Sequence, residues 1–358
     1  MSKTNIFWAG APLAITSAVL FGASTPFAKL LLGDGLSPWL LAGLLYLGSG
    51  LGLGILSWTR RGLGSAAAEA PLRRADLPWL ALIVLSGGVV GPVLLMVGLV
   101  ATPASTAALL LNLEGLATMS IAWVVFRENV DRRLLLGAAA ILAGAALLSL
   151  HGGSGGIGLG ALAIAGACLA WGVDNNLTGK LSAADPVQIA FIKGLAAGTM
   201  NLVLALAMGA QLPMIGVILA AAMIGFLGYG VSLVLFVLAL RHLGTARTGA
   251  YFSTAPFFGA ALAVLIFAEP VTVRLVAAGV LMAIGVYLHL TEAHDHEHAH
   301  RLLEHEHRHV HDAHHHHAHG PKDPLGEPHS HWHRHLPMIH KHPHYPDLHH
   351  RGGHGHAH

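Results

Sequence analysis

Charged side chains are scarce in this chain: of its 358 residues, only 11% are Asp, Glu, Lys or Arg. A soluble globular protein carries about 25% charged residues. Because 54% of the residues are hydrophobic, the chain could not cover a water-facing surface with charge. The scarcity of charge therefore excludes an ordinary soluble protein and predicts an integral membrane protein whose main partner is the lipid bilayer.

Cysteine and net charge are also low. The single cysteine, Cys168, lies in an apolar stretch, which excludes a disulfide framework within one chain and a cysteine-based metal site. The net charge of +2 provides no basic field that would indicate a nucleic-acid partner. The apolar stretches contain no nucleophile–base arrangement or metal motif, so the sequence does not predict an enzyme.

Ten apolar stretches are long enough to cross a membrane, because a helix needs about 20 mostly apolar residues to span the hydrocarbon core. They run near residues 10–32, 37–58, 77–100, 103–126, 134–150, 159–180, 187–209, 213–240, 248–268 and 274–290. The predicted fold is therefore an all-α membrane protein with ten transmembrane helices.

Basic residues predict the orientation, because cytoplasmic loops carry an excess of Lys and Arg. If the N-terminus is inside, the cytoplasmic loops contain Arg60, Arg61, Arg73, Arg74, Arg127, Arg132, Arg133, Lys180, Arg241 and Arg247. An even number of spans returns the C-terminus to the same side. Both termini are therefore predicted to be cytoplasmic.

The chain contains an internal repeat. Residues 126–133 read Phe-Arg-Glu-Asn-Val-Asp-Arg-Arg and match residues 267–274, Phe-Ala-Glu-Pro-Val-Thr-Val-Arg, at an offset of 141 that places Glu128 on Glu269. With five spans in each half, the halves must be inverted relative to each other, an arrangement found in secondary transporters with midplane substrate sites. The predicted units are a first five-helix repeat, a second five-helix repeat and a tail, at residues 1–150, 151–292 and 293–358.

The sequence resembles the EamA-type permeases of the drug/metabolite transporter superfamily over roughly residues 10–290. The resemblance rests on the paired Phe-x-Glu signatures at 126–128 and 267–269 and on the stretch Thr-Pro-Ala-Ser-Thr-Ala-Ala-Leu-Leu-Leu-Asn-Leu-Glu at 102–114. It implies ten helices, a location in the inner membrane, and export or exchange of small organic solutes. The histidine-rich tail is not part of the common pattern of that family.

Glu114 is the deepest acidic residue of the predicted spans. It lies eleven residues past Pro103, about 16 Å along a helix and close to the midplane, where an ionisable group indicates a functional site. One interpretation is a carboxylate that couples transport to protons or cations. The other is a protonated acid that hydrogen-bonds a neighbouring helix. Asn112 differs from Glu114 by about 200° around a regular helix, so both can face one cavity only if the helix is distorted, for which Gly115 is a candidate.

The sixth predicted span carries the polar triplet Asp174-Asn175-Asn176. Trp171 and Thr178 share a helix face with Asp174, which indicates a substrate-binding face. The alternative is a helix end that reaches cytoplasmic water. In the seventh span, Lys193 either contributes to the site or extends its side chain to the interface. Because Asp174 and Lys193 lie at similar depth in consecutive helices, we expect them to form an ion pair.

Histidine is concentrated in the tail, which holds 25 of the 28 histidines of the chain. With little apolar periodicity, the tail is predicted to be disordered. Neutral imidazole suits Zn²⁺ and Ni²⁺, so we expect metal binding, although a solvated tail that responds to pH is the alternative. The candidate metal ligands are His294, His296, His298, His314, His315, His316, His317, His331, His333 and His335.

Together these features predict a secondary active transporter, an exporter by resemblance, that moves small organic metabolites or drug-like solutes by alternating access with H⁺ as the coupling ion. The alternative is a transporter or sensor of a divalent metal (Zn, Ni or Co) that uses the tail. Against the alternative, the spans hold no His or carboxylate pairs at i, i+4 spacing. No cofactor is required, and a homodimer is compatible with this interpretation.

Overall fold

The computed structural model describes residues 3–33, 35–62, 72, 74–126, 132–149, 158–181, 185–243, 248, 251–290, 295–300, 303–309, 329–335 and 338–343. These residues form a bundle of helices up to Leu290 and short strands in the tail.

The N-terminal part of the bundle begins with two long helices, α1 (Lys3–Gly33) and α2 (Pro38–Gly62). A 3₁₀ turn, Arg74–Asp76, leads into α3 (Leu77–Ile83), which continues through the first π segment, Val84–Val90, into α4 (Gly91–Ala101). The remaining helices of this part are α5 (Ala104–Leu110), α6 (Leu113–Phe126) and α7 (Arg132–Ser149).

The C-terminal part of the bundle has a similar order of helices. It begins with α8 (Leu159–Lys180) and α9 (Pro186–Ala207). Helix α10 (Ile215–Gly225) continues through the second π segment, Phe226–Val231, into α11 (Ser232–Leu243). The last helices are α12 (Ala255–Phe267) and α13 (Val273–Leu290).

Eight helices within the described residues are long and apolar enough to cross a membrane. The other two predicted spans, 159–180 and 248–268, correspond to α8 and α12, which do not meet the same length and hydropathy requirements. Helix α8 carries the polar triplet Asp174-Asn175-Asn176 near its end, and α12 is apolar but only 13 residues long.

Interruptions recur at corresponding places in the two parts of the bundle. The sequence offset of 141 brings the first π segment, 84–90, onto 225–231, which contains the second π segment. A turn at 111–112 separates α5 from α6, and a turn at 253–254 precedes α12. The helix distortion expected near Gly115 therefore lies at 111–112 instead, where the backbone makes i→i−3 hydrogen bonds.

The packing of the helices is related by a pseudo-twofold exchange: several contacts made by helices of the N-terminal part have counterparts made by the corresponding helices of the C-terminal part. Helix α8 packs against α4 and α6, as α1 packs against α11 and α12, and α2 and α9 pack against each other, as do α7 and α13. In the last pair, a Cβ on Gly137 would lie 2.9 Å from the Gly285 carbonyl oxygen, and one on Gly144 would lie 3.0 Å from the Ala278 carbonyl oxygen. The same offset of 141 relates these two contacts, and small residues permit such close approach in lipid.

The centre of the bundle is apolar and tightly packed. Large side chains such as Leu40, Leu45, Met96 and Ile164 are at most 1% exposed. Other apolar side chains, such as Leu265, point outwards and are largely exposed. An outward apolar surface on helices of membrane length is suited to contact with lipid rather than water.

The described part of the tail contains four strands in two antiparallel pairs. They are β1 (Asp295–His300), β2 (Leu303–His309), β3 (His329–His335) and β4 (Met338–Pro343), with β1 paired to β4 and β2 to β3. In these residues the structure has strands where the sequence predicted disorder: histidine at alternate positions has the two-residue period of a strand, even though the segment has few apolar residues. Of the candidate ligands, His294 and His314 to His317 lie outside the described residues.

Candidate functional site

Glu114 lies halfway along the 22-residue apolar span Ala104–Val125, in the first turn of α6. The turn at 111–112 starts a new helix at this depth, so the N-terminal end of α6 and its partial positive charge lie beside the carboxylate. Asn175 Nδ2 donates to Glu114 Oε1 at 3.0 Å and to Thr118 Oγ1 at 3.2 Å. Thr118 Oγ1 in turn donates to the Glu114 carbonyl oxygen at 2.9 Å. The helix break thus allows Glu114 to join α6 to α8 through neutral hydrogen-bond partners.

Asp174 and Lys193 form an ion pair, as their depths predicted. The second carboxylate oxygen of Asp174 accepts from Thr178 Oγ1 at 3.2 Å. The exposed fractions of the Lys193 and Asp174 side chains are 19% and 6%, so both charges are largely removed from solvent. The positive charge of Lys193 is therefore largely neutralised by Asp174.

The ion pair crosses the first π segment. A Cβ on Gly87 would overlap the Asp174 carboxylate, and one on Gly88 would lie 3.7 Å from Lys193 Cγ. Both α8 and α9 pack against this segment. Gly87 leaves room for the Asp174 carboxylate, whereas Gly88 leaves room for Ala197 of α9, whose Cβ would lie 2.5 Å from an added Cβ.

Carbonyl groups of the first π segment accept hydrogen bonds from three helices. Tyr46 Oη and Trp171 Nε1 both donate to the Gly87 carbonyl oxygen, at 2.8 and 3.0 Å. Asn201 Nδ2 donates to the Gly88 carbonyl oxygen at 2.9 Å. These bonds hold α2, α8 and α9 around the segment, next to the ion pair.

Aromatic rings extend from this cluster into the second half of the bundle. Tyr46 lies 5.6 Å from Tyr229 between ring centroids, and Tyr229 lies 5.9 Å from Phe21. Phe252 continues the row at 5.2 Å from Phe21, and Phe236 lies 4.9 Å from Phe252. The tyrosine end of the row lies beside the first π segment, since Tyr46 donates to the Gly87 carbonyl oxygen.

The predicted site residues do not all meet. Neighbouring positions of α8 carry two polar groups, which we together call the central cluster. In one, Asn175 binds Glu114 and Thr118. The other contains the Asp174–Lys193 ion pair and the Gly87 carbonyl group with its donors Trp171 and Tyr46. Asn112 is excluded from the central cluster. Its Nδ2 donates to the Leu109 carbonyl oxygen at 2.9 Å and lies 3.9 Å from Met282 Sδ of α13.

Sequence reasoning missed two members of the central cluster, Tyr46 and Thr118. Neither side chain is charged at neutral pH, so neither stands out as an expensive residue in an apolar stretch. The available signal was the pair Gly87-Gly88 after Ser86 inside an otherwise apolar span, since glycine pairs mark close approach or a distorted helix.

A second polar cluster lies at the end of the bundle where α4 meets α5. Glu269 Oε1 accepts from the Ala104 backbone N–H at 2.7 Å, and Glu269 Oε2 accepts from the backbone N–H of Ser105 at 3.1 Å and from its hydroxyl group. The Lys29 ammonium group donates to carbonyl oxygens at the end of α4, including that of Thr102 at 2.9 Å. Glu269 thus caps the N-terminus of α5 from the other half of the bundle.

The turn that positions Glu269 contains an unusual backbone conformation. Ala268 ends α12 with φ 48°, the left-handed region that residues other than glycine rarely adopt. Beside this turn lies an open cavity of about 560 Å³ whose polar lining includes Thr102, Ser105, Glu269 and Arg274. Within the part of the chain that the structure describes, no cluster of three His, Cys, Asp or Glu side chains could hold a metal ion.

A bundle of membrane-length helices that is interrupted beside a charged, hydrogen-bonded cluster has the architecture of a membrane transporter. The sequence profile of the EamA-like transporter family matches residues 8–150 and again residues 158–291. The chain therefore belongs to the EamA-like transporter family.

The chain is also similar to a curated transporter and to a protein of known structure. An uncharacterized transporter from Methanothermobacter thermautotrophicus (strain Delta H) is 29% identical over 290 residues, which cover 76% of this chain and 84% of that protein. A protein of known crystal structure has the same fold with a TM-score of 0.58 and 20% identity, over 78% of this chain and 95% of that chain.

Proposed function

We propose that the protein is a secondary active exporter of small organic metabolites or drug-like solutes that works by alternating access and uses H⁺ as its coupling ion. The observation that carries the proposal is the position of Glu114. It is an acid halfway through an apolar span, at the start of an interrupted helix, and its carboxylate accepts a hydrogen bond from the neutral amide of Asn175. A membrane-embedded carboxyl group that can gain and lose a proton is suited to coupling solute movement to a proton gradient.

Alternating access requires two related halves that can rock against each other. We propose ten transmembrane helices in two inverted five-helix repeats, at residues 1–150 and 151–292. Three observations support this arrangement: the exchangeable helix pairing, the two π segments at the same offset, and the related glycine contacts of α7 and α13. The central cluster joins the two halves, since Asn175 of α8 binds Glu114 of α6. We place the protein in the inner membrane with both termini in the cytoplasm, on the distribution of Lys and Arg.

Transport in reconstituted vesicles tests this proposal. Solutes that change in abundance between a deletion strain and an overexpressing strain are added to proteoliposomes that contain a pH-sensitive dye. We expect at least one solute to move protons through the wild-type protein, and the same solute to cause no proton movement through Glu114→Gln. Wild-type proton flux in Glu114→Gln would contradict the coupling role of this residue.

We also propose that the tail binds Zn²⁺ or Ni²⁺. The supporting observation is the strand register, which places His296 opposite His342 and His298 opposite His340. The other strand pair places His307 opposite His331 and His305 opposite His333. Neutral imidazole is a ligand that suits Zn²⁺ and Ni²⁺, and this register pairs histidine positions on neighbouring strands.

A further inference from the structure

We infer that the cavity beside the turn of Glu269 binds a phosphate group, supplied by an anionic phospholipid headgroup or by free phosphate. The cavity has a volume of about 560 Å³, and its lining residues lie outside the central cluster. The site is separate from Glu114 and from the transported solute, so it does not depend on the proposed transport function. Three groups converge there: a helix N-terminus without a side-chain cap, a buried hydroxyl group directed at that N-terminus, and a guanidinium group.

The first turn of α8 lines the cavity. Helix α8 has 22 residues, and its N-cap residue, Gly158, provides no side-chain hydrogen bond to this turn. The backbone N–H groups of a first turn have no acceptor within their own helix, and together with the helix dipole they attract anions. Residues 158–161 all belong to the lining. Helix α8 therefore presents its N-terminal end to the cavity without the kind of acceptor that α5 receives from Glu269.

A buried hydroxyl group is directed at this N-terminus. Thr102 is 7% exposed and lines the cavity, and a Cβ on Gly160 would lie 2.3 Å from Thr102 Oγ1. The hydroxyl group therefore lies against the first turn of α8. It forms no hydrogen bond with another described residue, since the bond from Lys29 is accepted by the backbone carbonyl oxygen of Thr102. A buried hydroxyl group in this position is available to donate to a ligand oxygen.

Arg274 provides the positive charge of the cavity. It lies in the first turn of α13, and its Nε–H group donates to the Leu147 carbonyl oxygen. The two terminal nitrogens of the guanidinium group carry further donors, and within the described residues these form no hydrogen bond or salt bridge. Guanidinium groups bind phosphate oxygens through paired N–H donors. Arg274 can therefore bind a ligand while its Nε–H group stays attached to α7.

The negative charge of Glu269, which also lines the cavity, is balanced at the junction of α4 and α5. Both of its carboxylate oxygens accept hydrogen bonds from the first turn of α5, at Ala104 and Ser105. The Lys29 ammonium group binds the same junction at the Thr102 carbonyl oxygen, 2.9 Å away. The charge of Arg274 thus remains for a ligand, and an anion is the ligand that it attracts.

The surroundings of the cavity suit a lipid headgroup. Leu159 and Val273, at the starts of α8 and α13, are 83% and 87% exposed. Exposed apolar side chains at the ends of membrane helices suit the boundary between the acyl chains and the headgroups of a bilayer. The cavity is open and larger than a phosphate ion, which leaves room for the rest of a headgroup. Basic pockets between membrane helices are suited to anionic headgroups.

A phosphate bound here would join the two parts of the bundle. Thr102 belongs to the N-terminal part, whereas the first turn of α8 and Arg274 belong to the C-terminal part. A ligand that binds only the folded protein stabilises it. Thermal unfolding therefore reports on the binding.

The test uses the full-length protein in dodecyl maltoside, a detergent without a phosphate group. The probes are phosphatidylglycerol, a diacylglycerol with the same acyl chains, and inorganic phosphate compared with chloride at equal ionic strength. We expect phosphatidylglycerol to raise the melting temperature by at least about 2 °C more than diacylglycerol does. An equal rise with inorganic phosphate supports free phosphate as the source, and a smaller rise or none supports the lipid headgroup.

Variants assign the rise to this cavity, each compared with its own melting temperature without a probe. Arg274→Gln and Thr102→Val should each lose most of the rise, whereas Thr102→Ser, which keeps the hydroxyl group, should retain it. Arg132→Gln is the matched control, because it removes an exposed arginine at the start of α7, the opposite end of that helix from Leu147. It should show the full rise. The threonine variants test the site even if Arg274→Gln does not fold.

Two results would overturn the inference. One is that neither phosphatidylglycerol nor inorganic phosphate raises the melting temperature beyond its control. The other is that Thr102→Val shows the same rise as the wild-type protein and Arg132→Gln. Both results leave the proposed transport function intact, which fails only if no solute drives proton movement in the proteoliposomes.

Discussion

Lys193 of α9 and Asp174 of α8 form an ion pair beside Gly87 and Gly88. The two helices nevertheless pack mainly against different neighbours. Helix α8 packs on α4 and α6, helix α9 packs on α2, and both meet at the first π segment. The two charges were expected to pair because their helices are consecutive. In the structure both helices pack against the first π segment, where Gly87 leaves room for the Asp174 carboxylate.

Neutralising one member of this pair should destabilise the protein more than neutralising both. Lys193→Met leaves the Asp174 carboxylate, which is 6% exposed, without its counter-ion, and Asp174→Asn does the same to Lys193. Removing one partner of a buried pair costs about 3–5 kcal/mol, whereas replacing both is often nearly neutral. Thermal unfolding of the two single variants and the double variant in detergent measures this. Additive losses in the double variant would show that the two charges do not interact directly.

Gly87→Ala should disrupt the centre of the bundle. The added Cβ would overlap the Asp174 carboxylate, and overpacking of this kind costs about 1–3 kcal/mol. Gly216→Ala in α10 is the matched control, since no heavy atom lies within 4 Å of its added Cβ, and it should be neutral or stabilise by up to about 1 kcal/mol. The apparent melting temperatures of the two variants check the comparison. Equal melting temperatures would mean that the helix repacks around the new methyl group.

Removing the Glu269 cap should loosen the junction between α4 and α5. Glu269→Ala leaves the backbone N–H groups of Ala104 and Ser105 without their acceptor, and loss of a helix cap costs about 0.5–2 kcal/mol. Glu269→Gln keeps one acceptor oxygen and should lose less. Hydrogen exchange at residues 104–106, measured by mass spectrometry, should accelerate most in Glu269→Ala. Unchanged exchange in this variant would show that the cap does not hold the junction closed.

Deletion of residues 294–358 should separate the tail from transport. The bundle ends at Leu290, so the truncated protein should fold and retain its transport rate. It should lose most of its Zn²⁺ or Ni²⁺ binding, because 25 of the 28 histidines lie in the tail. Calorimetric titration with each metal and transport in proteoliposomes are measured on the same preparation. Full metal binding by the truncated protein would place the metal site in the bundle instead.

Features that depend on local composition could be predicted from the sequence. Low charge and long apolar stretches determine a membrane protein whatever its packing, because lipid admits few unpaired charges. The signatures at 126–128 and 267–269 led to the family that the sequence profile then showed. The cost of burying Glu114, Asp174 and Lys193 was also visible, since an ionisable residue is recognisable in an apolar stretch without knowledge of its neighbours.

Only the tertiary structure decided which of these groups meet. Asn112 precedes Glu114 by two residues, yet the turn at 111–112 directs it toward Met282 while Glu114 binds Asn175. The π segments and the role of Tyr46 were equally hidden, because a wide turn is stabilised by hydrogen bonds from side chains of other helices. Hydropathy and spacing describe each helix by itself, whereas the site is formed where α2, α6, α8 and α9 approach one another across glycine. That approach depends on distances between segments far apart in the sequence, which no local pattern encodes.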